Sequence, residues 1–182
     1  MMNSDIKIIK DCLEGNQLAY KALYEKYVSY CYGICIRYSI NQSDVKDLVQ
    51  VIFSQVFQAL KKYDSEKASF KTWFTRICIH HILSFKRKQN RAIPIQDVQD
   101  LEVVEKRYAG NNIEENIDRE HILSLLKKMP NNYQIVFNLF IIDGYSHDEI
   151  AKELNITTAS SRVILNRARS WVKKTFVKQL NP

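Results

Sequence analysis

Apolar residues recur every three or four positions along most of this chain, and this spacing constrains its fold more than any other feature. The clearest case runs from Val45 to Leu60, where the apolar residues fall on one face of a helix. Only 4 glycines and 3 prolines occur among 182 residues, which disfavours a β fold with many turns. The sequence therefore predicts an all-α fold.

The charge distribution divides the chain into two helical blocks and a connector. Residues 92–120 carry eight acidic and three basic side chains, although the whole chain has a formal net charge of +7. The connector also contains a helix-breaking Gly-Asn-Asn at 110–112. We therefore predict two small helical domains, 1–91 and 115–182, joined by an acidic flexible linker at 92–114. The basic remainder of the chain indicates a polyanionic partner.

Short polar side chains stand where the helices are expected to begin, because their oxygens can accept from free backbone N–H groups. The predicted N-caps are Ser4, Asn16, Ser43, Ser69, Asn131, Ser146 and Thr157. Ser146 and Glu149 have the spacing of a capping box, and Gly144 can end the preceding helix in a left-handed conformation.

The last two predicted helices have the pattern of a helix-turn-helix. Ile150, Ala151, Leu154 and Ile156 would hold the two helices together, with Asn155 in the tight turn. The second helix carries polar and basic residues outside its apolar stripe: Arg162, Asn166, Arg167, Arg169, Lys173 and Lys174. This pattern favours DNA binding, although an ordinary helical hairpin with a solvated basic face would share it.

Two further surfaces are candidates for binding. The third helix places Asp47, Gln50, Val51 and Ser54 opposite its apolar stripe, as either a partner-docking patch or a solvated face. The fourth helix mixes aromatic and basic residues, a combination that suits single-stranded nucleic acid. If most of its rings belong to the core, its expected surface contacts are Arg76, His80, Lys86 and Arg87.

Other chemistry receives little support from the sequence. Cys31, Cys35 and Cys78 could bind zinc with His81, but buried free thiols on helix faces account for the same pattern, so we predict no metal and no cofactor. The histidines are scattered and no glycine-rich phosphate loop occurs, so we predict no enzymatic activity. Neither a signal peptide nor a membrane-spanning apolar run is evident, which favours a cytoplasmic protein without membrane insertion.

Taken together, these residues resemble the extracytoplasmic-function class of bacterial sigma-70-type factors. The residues similar to the family's polymerase-docking helix are Asp47, Leu48, Val49, Gln50 and Phe53. Those that resemble its promoter-melting helix are Phe70, Trp73, Phe74, Ile77, Lys86 and Arg87. Those that resemble its −35-reading domain are Met129, Pro130, Tyr133, Val136, Phe137, Leu139, Gly144, Ser146, Glu149, Ile150, Ala151, Leu154, Ile156, Arg167, Ala168 and Arg169.

The resemblance implies a factor that binds core RNA polymerase and directs promoter-specific initiation, without catalytic residues of its own. The implied polymerase contacts, on the clamp of the largest subunit, are Asp47, Gln50, Val51 and Ser54. The implied −10 DNA contacts are Lys67, Phe70, Lys71, Trp73, Arg76, His80, Lys86 and Arg87. The implied −35 contacts, in a domain seated on the polymerase flap, are Thr157, Thr158, Ser160, Ser161, Arg162, Asn166, Arg167 and Arg169. The acidic linker would thread the polymerase channel, and an anti-sigma factor or other targeting protein is a further expected partner.

Four residues depart from the family pattern. Val51 replaces an acid, His80 replaces an asparagine, and Ser161 and Ile164 replace an apolar residue and a base in the recognition helix. These last two changes motivate the hypothesis that base reading at −35 is weak and needs an accessory partner. The alternative to a sigma factor is a stand-alone helix-turn-helix regulator, in which the face around Asp47 and Gln50 would be idle.

Overall fold

The computed structural model describes residues 4–89 and 128–180, together with Ser124 and Leu126. All elements in these ranges are helical and none is a strand, which confirms the predicted all-α, two-domain fold. The chain divides into two compact units, Met1–Ala92 and Ile93–Pro182, which are described separately below. The predicted acidic linker lies outside the described residues.

In its described residues the N-terminal unit has four α-helices: α1 (Ser4–Leu13), α2 (Gln17–Arg37), α3 (Gln42–Ala59) and α4 (Phe70–Lys88). A short 3-10 helix, Leu60–Lys62, follows α3. Two predicted caps are confirmed. The Asn16 side chain accepts from the backbone N of Leu18 at 2.9 Å, and Ser69 Oγ accepts from the backbone N of Thr72 at 3.2 Å. Each bond satisfies an N–H group that has no partner within its helix.

Two predicted caps are wrong by one or two residues. Helix α3 begins before Ser43, at Gln42, with Asn41 in the N-cap position. The Ser43 hydroxyl instead donates to Asp44 Oδ1 at 3.3 Å. In the C-terminal unit, Pro130 takes the N-cap position expected for Asn131, because its extended backbone leads directly into the helix and its carbonyl accepts from Gln134 at 2.9 Å.

Aromatic rings fill the core of the N-terminal unit. The Tyr27 ring on α2 lies 5.0 Å from the Phe70 ring and 5.1 Å from the Phe74 ring on α4, and Phe53 of α3 lies 5.4 Å from Phe74. The expected apolar face of α3 is buried as predicted. On α4, Trp73 is only half-buried, whereas four later residues are buried: Cys78, Ile79, Leu83 and Lys86.

All four cysteines are buried free thiols. Cys31 Sγ lies 3.8 Å from Cys78 Sγ, and the described residues contain no group of three or more side chains suited to holding a metal ion. The pKa of Cys35 is raised by its hydrogen bond to Cys31 and by burial. This thiol is therefore protonated at neutral pH, the form that is a poor metal ligand and a poor nucleophile.

The C-terminal unit contains α5 (Asn131–Phe137), which continues as a π-helical segment (Asn138–Ile142), then α6 (His147–Leu154) and α7 (Thr158–Leu180). Leu126, Met129 and Ala168 form a buried cluster against which Tyr133 and Trp171 pack. No helix in the described ranges is both long and apolar enough to cross a membrane.

The predicted helix-turn-helix is confirmed in its local geometry. Ser146 and Glu149 form the capping box at the start of α6, and Asn155 ends that helix with a left-handed φ of 55°. Thr157 Oγ1 accepts from the backbone N of Ser160 at 3.0 Å, which caps α7. Gly144 has a φ of +73°, a conformation that glycine adopts at little cost.

Candidate nucleic-acid interface

The outer face of α3 carries the predicted polymerase contacts. Asp47, Gln50 and Ser54 are exposed, and Val51 among them is 51% exposed, although the opposite face of the same helix is buried. An exposed branched apolar side chain with a carboxylate and an amide beside it can pack against a partner helix that offers a cation.

Side chains of the loop before α4 hold that loop in place through ring contacts and hydrogen bonds. The Tyr63 ring packs against the rings of Phe70 and Trp73, each at 5.4 Å, and its hydroxyl donates to the Ala68 carbonyl at 3.1 Å. Asp64 accepts from the backbone N of Glu66 and pairs with Lys67 at 3.2 Å, and these two contacts, in that order, lower the pKa of Asp64. From the sequence, Tyr63 was not identified as part of this surface. The one indication in the sequence was that an aromatic residue stands in a polar loop.

The exposed side of α4 is basic. Lys71, Arg76, His80 and Arg87 are exposed, and the Lys71 ammonium lies 4.8 Å from the centroid of the Tyr30 ring. Lys71, Arg76 and Arg87 offer cations to phosphates, and the half-buried Trp73 offers an aromatic ring to a base. The exposed Lys67 extends the same charge into the preceding loop.

Two predicted −10 contacts are not on that surface. Phe70 is 1% exposed and belongs to the aromatic core. The expected surface position of Lys86 is wrong: it is 4% exposed, and its ammonium donates to the Tyr38 carbonyl at 2.6 Å, at the C-terminal end of α2. A cation there satisfies a helix-terminal carbonyl and lies at the negative end of the helix dipole.

The recognition helix α7 divides its predicted contacts between surface and core. Thr157, Arg162, Asn166 and Arg169 are exposed, and Thr158 and Arg167 are half-buried. Ser160 and Ser161, in contrast, are buried at 4% and 0% exposure, so the structure turns both hydroxyls toward the protein.

Contacts within the cap of α7 and between α6 and α7 give these two hydroxyls their partners. Ser160 Oγ lies 2.8 Å from Thr157 Oγ1, within the cap of α7. Ser161 Oγ lies 2.9 Å from His147 Nδ1, and Thr158 Oγ1 donates to Asp148 Oδ1 at 2.9 Å. Sequence reasoning missed His147 and Asp148. The indication in the sequence was that His147 and Asp148 directly follow the N-cap Ser146. They therefore lie in the first turn of α6, which packs on the recognition helix.

Comparisons with known protein families bear on both units. The family model for sigma-70 region 2 matches residues 23–92, and the model for sigma-70 region 4 matches residues 119–172. The chain belongs to the sigma-70 family, in its extracytoplasmic-function class. In this sigma factor, α3 and α4 lie within the region 2 match, and α5, α6 and most of α7 lie within the region 4 match.

Relatives of the sigma factor extend over nearly the full chain. The ECF RNA polymerase sigma-E factor of Escherichia coli is 25% identical over 179 residues, which cover 93% of this chain and 92% of the relative. The sigma-E factor of Haemophilus influenzae is 20% identical over 184 residues, with coverage of 93% and 94%.

Solved structures share the fold. CnrH, in complex with the cytosolic domain of CnrY, has a TM-score of 0.53 at 19% identity and covers 97% of this chain and 99% of its own. The sigma factor RpoE of Bartonella quintana, in complex with the anti-sigma factor NepR, has a TM-score of 0.53 at 17% identity, with coverage of 85% and 94%. At these identities the likeness establishes the fold.

Proposed function

We propose that this sigma factor binds core RNA polymerase and directs promoter-specific transcription initiation through three separate surfaces. The observation that carries the proposal is the presence of region 2 and region 4 matches, in that order, each with an exposed polar or basic face on its helices. The working division is a polymerase-docking and −10 domain at 1–91, a linker at 92–114, and a −35 domain at 115–182.

The first surface is the outer face of α3, which docks on the clamp of the largest polymerase subunit. Val51 supplies the apolar centre, and Asp47, Gln50 and Ser54 surround it with one carboxylate and two neutral hydrogen-bonding groups. This composition supports a helix-to-helix contact of moderate area, in which a buried apolar anchor is enclosed by polar side chains.

The second surface binds the −10 element. Lys67, Lys71, Arg76 and Arg87 contact phosphates, and Trp73 and His80 meet unstacked bases. Phe70 and Lys86 support this surface from within. Phe70 holds the Tyr63 loop against Trp73 through ring contacts at 5.4 and 5.5 Å, and Lys86 anchors the end of α4 to α2.

The third surface is the exposed side of α7, which enters the major groove at −35. Only residues in the first turns of a recognition helix reach base edges, so Thr157, Thr158 and Arg162 are the proposed readers. The proposed phosphate contacts farther along the helix are Asn166, Arg167 and Arg169. Ser160 and Ser161 contribute indirectly, through the contacts that hold α7 on α6.

The sigma factor contributes no catalytic step and no metal or cofactor of its own, because the polymerase carries out the chemistry. It acts in the cytoplasm, where polymerase and promoter DNA are found. The structural neighbours were solved with the cytosolic domain of CnrY and with the anti-sigma factor NepR. We propose a partner of the same class, an anti-sigma factor that covers the exposed faces of this chain.

Pull-down of bacterial core RNA polymerase with the full chain tests the proposal, followed by transcription on genomic DNA fragments. Asp47→Lys should abolish polymerase binding because it reverses the charge on the docking face. Glu14→Lys is the matched control, since it makes the same charge change at an exposed turn before α2 and should bind normally.

Stable binding with discrete new start sites supports a sigma factor and identifies its promoter. Binding without initiation points to a missing targeting partner. This outcome would agree with the hypothesis, based on Ser161 and Ile164, that base reading at −35 is weak and needs an accessory partner. Equal binding by wild type and the Asp47→Lys variant argues against the α3 surface. No polymerase binding by a folded wild-type chain would favour the stand-alone DNA-binding regulator.

A further inference from the structure

A partly buried hydrogen bond joins the two helices of the helix-turn-helix. His147, the first residue of α6, places its Nδ1 atom 2.9 Å from the Oγ atom of Ser161 on α7. Ser161 is 0% exposed, so this hydroxyl lies in the contact between the two helices. This polar pair therefore links the first turn of α6 to the N-terminal part of α7, in addition to the bond from Thr158 Oγ1 to Asp148 Oδ1.

The His147 imidazole is also held in place by an aromatic neighbour. Its ring stacks on the Phe140 ring, with centroids 4.4 Å apart and planes inclined by 27°. The Arg169 guanidinium lies 5.9 Å from the centroid of the same Phe140 ring. Asp148, next along α6, accepts from Thr158 Oγ1 at 2.9 Å. The stack on Phe140 therefore supports the ring while its Nδ1 atom lies within hydrogen-bond distance of Ser161 on α7.

Burial and two nearby arginines favour the neutral form of the ring. Burial, then Arg162 and Arg169 on α7, lower the pKa of His147, and Asp148 on its own helix opposes them. A neutral imidazole has one acceptor nitrogen and one donor nitrogen. Its Nδ1 can therefore accept from the Ser161 hydroxyl at neutral pH.

We propose that His147 is a positioning residue for −35 recognition, because its hydrogen bond to Ser161 sets the rotation of α7 about its own axis. Hydrogen bonds depend on both distance and angle, whereas hydrophobic burial is non-directional. Arg162 follows Ser161 directly and Asn166 lies about one turn beyond, so a rotation at Ser161 redirects both side chains. The inference rests on the proposed function, since it concerns how the −35 surface is aimed.

The test uses the full chain with core polymerase, on the promoter fragment that the wild-type holoenzyme selects from genomic DNA. The measured quantity is the ratio of initiation on this fragment to initiation on the same fragment with its −35 element scrambled. His147→Leu and Ser161→Ala should each lower the ratio by roughly three- to tenfold, the range for the loss of one net hydrogen bond.

A conservative variant separates positioning from packing. His147→Asn keeps an amide oxygen near the position of Nδ1 and should retain the ratio within about twofold. The double variant His147→Leu/Ser161→Ala should lower the ratio no further than the stronger single variant, because both changes remove the same bond. In the full-length protein, Ser161→Ala should also shift the ¹⁵N resonance of His147 Nδ1.

Two results would overturn the inference: an unchanged ratio in both single variants, which includes an equal loss on intact and scrambled fragments, or additive losses in the double variant. If His147→Leu does not fold by circular dichroism, Ser161→Ala, which removes one oxygen, decides alone. Failure of the proposed function is distinguishable, because then the wild-type chain would bind no polymerase and initiate on neither fragment.

Discussion

Lys86 offers a direct test of the difference between a DNA contact and an internal anchor. It lies beside Arg87 near the end of the basic helix α4, yet Lys86 is 4% exposed whereas Arg87 is exposed. The change Lys86→Met keeps most of the aliphatic stem and removes the ammonium. We expect it to destabilise the N-terminal unit and to leave the salt dependence of DNA binding unchanged.

The magnitude follows from the bond that is lost. The Lys86 ammonium donates to the Tyr38 carbonyl at 2.6 Å, and removing a charged partner from a buried carbonyl costs about 1–3 kcal/mol. The variant also relieves the desolvation of the ammonium, so we expect the net loss in the lower part of that range, about 1–2 kcal/mol. For a urea slope of about 1–2 kcal/mol per M, the midpoint should fall by roughly 1 M.

The assay is urea unfolding of the full chain followed by tryptophan fluorescence. The chain has 2 tryptophans, Trp73 in the N-terminal unit and Trp171 in the C-terminal unit. A Trp171→Phe background therefore reports unfolding of the N-terminal unit alone. Arg87→Met is the matched control, since it removes a neighbouring exposed base and should change the stability by less than about 0.5 kcal/mol.

DNA binding by the holoenzyme supplies the second readout. Arg87→Met should reduce the slope of log affinity against log salt concentration by about one, as expected for a single phosphate contact. Lys86→Met should leave that slope as it is. Equal stability of the two variants, together with a reduced slope for Lys86→Met, would refute the internal anchor and restore Lys86 as a DNA contact.

Two further predictions concern pH and glycine conformation. The pKa of His147 is lowered in the folded chain, whereas in the unfolded chain it has the ordinary value of about 6.5. As the pH falls below that value, the unfolded state binds more protons than the folded state. The C-terminal unit should therefore lose stability as the pH falls below about 6.5. Urea unfolding followed by Trp171 fluorescence should show this fall, and a pH response retained in His147→Asn would contradict it. Gly33→Ala should stabilise the N-terminal unit by about 0.5–1 kcal/mol, because Gly33 lies within α2 with open space around it. Gly144→Ala should destabilise the C-terminal unit by about 1–2 kcal/mol, because an alanine is strained at a φ of +73°. The melting temperature should therefore rise in Gly33→Ala and fall in Gly144→Ala, and a shift in the same direction in both variants would count against this reasoning.

Local patterns in the sequence predicted most of the helical structure correctly. The stripe on α3, the caps at Asn16 and Ser69, the capping box at Ser146 and the left-handed turn at Asn155 depend on residues within a few positions of each other. Interactions of this range are present whatever the rest of the chain does, so composition and spacing are sufficient to identify them.

Residues with two chemically reasonable roles were harder to assign. Lys86 begins a run of three basic residues that indicates a basic surface, and Ser161 lies among residues expected to face DNA. Each side chain is instead buried by a partner from a distant part of the sequence: Tyr38 lies 48 residues before Lys86, and His147 lies 14 residues before Ser161. No local pattern indicates these pairings, since each polar residue fits either water or a buried partner.

By itself, the sequence determined that the chain is all-helical and that two helical blocks flank an acidic connector. It also determined which helix surfaces were expected to bind the polymerase and DNA. It could do so because helix formation, capping and charge depend on neighbours in the chain. Only the tertiary structure decided which polar side chains within those surfaces face the protein, because burial of a polar group is stable only when a partner is brought to it by the fold. For Lys86 that partner is a helix-terminal carbonyl, and for Ser161 it is an imidazole on the adjoining helix.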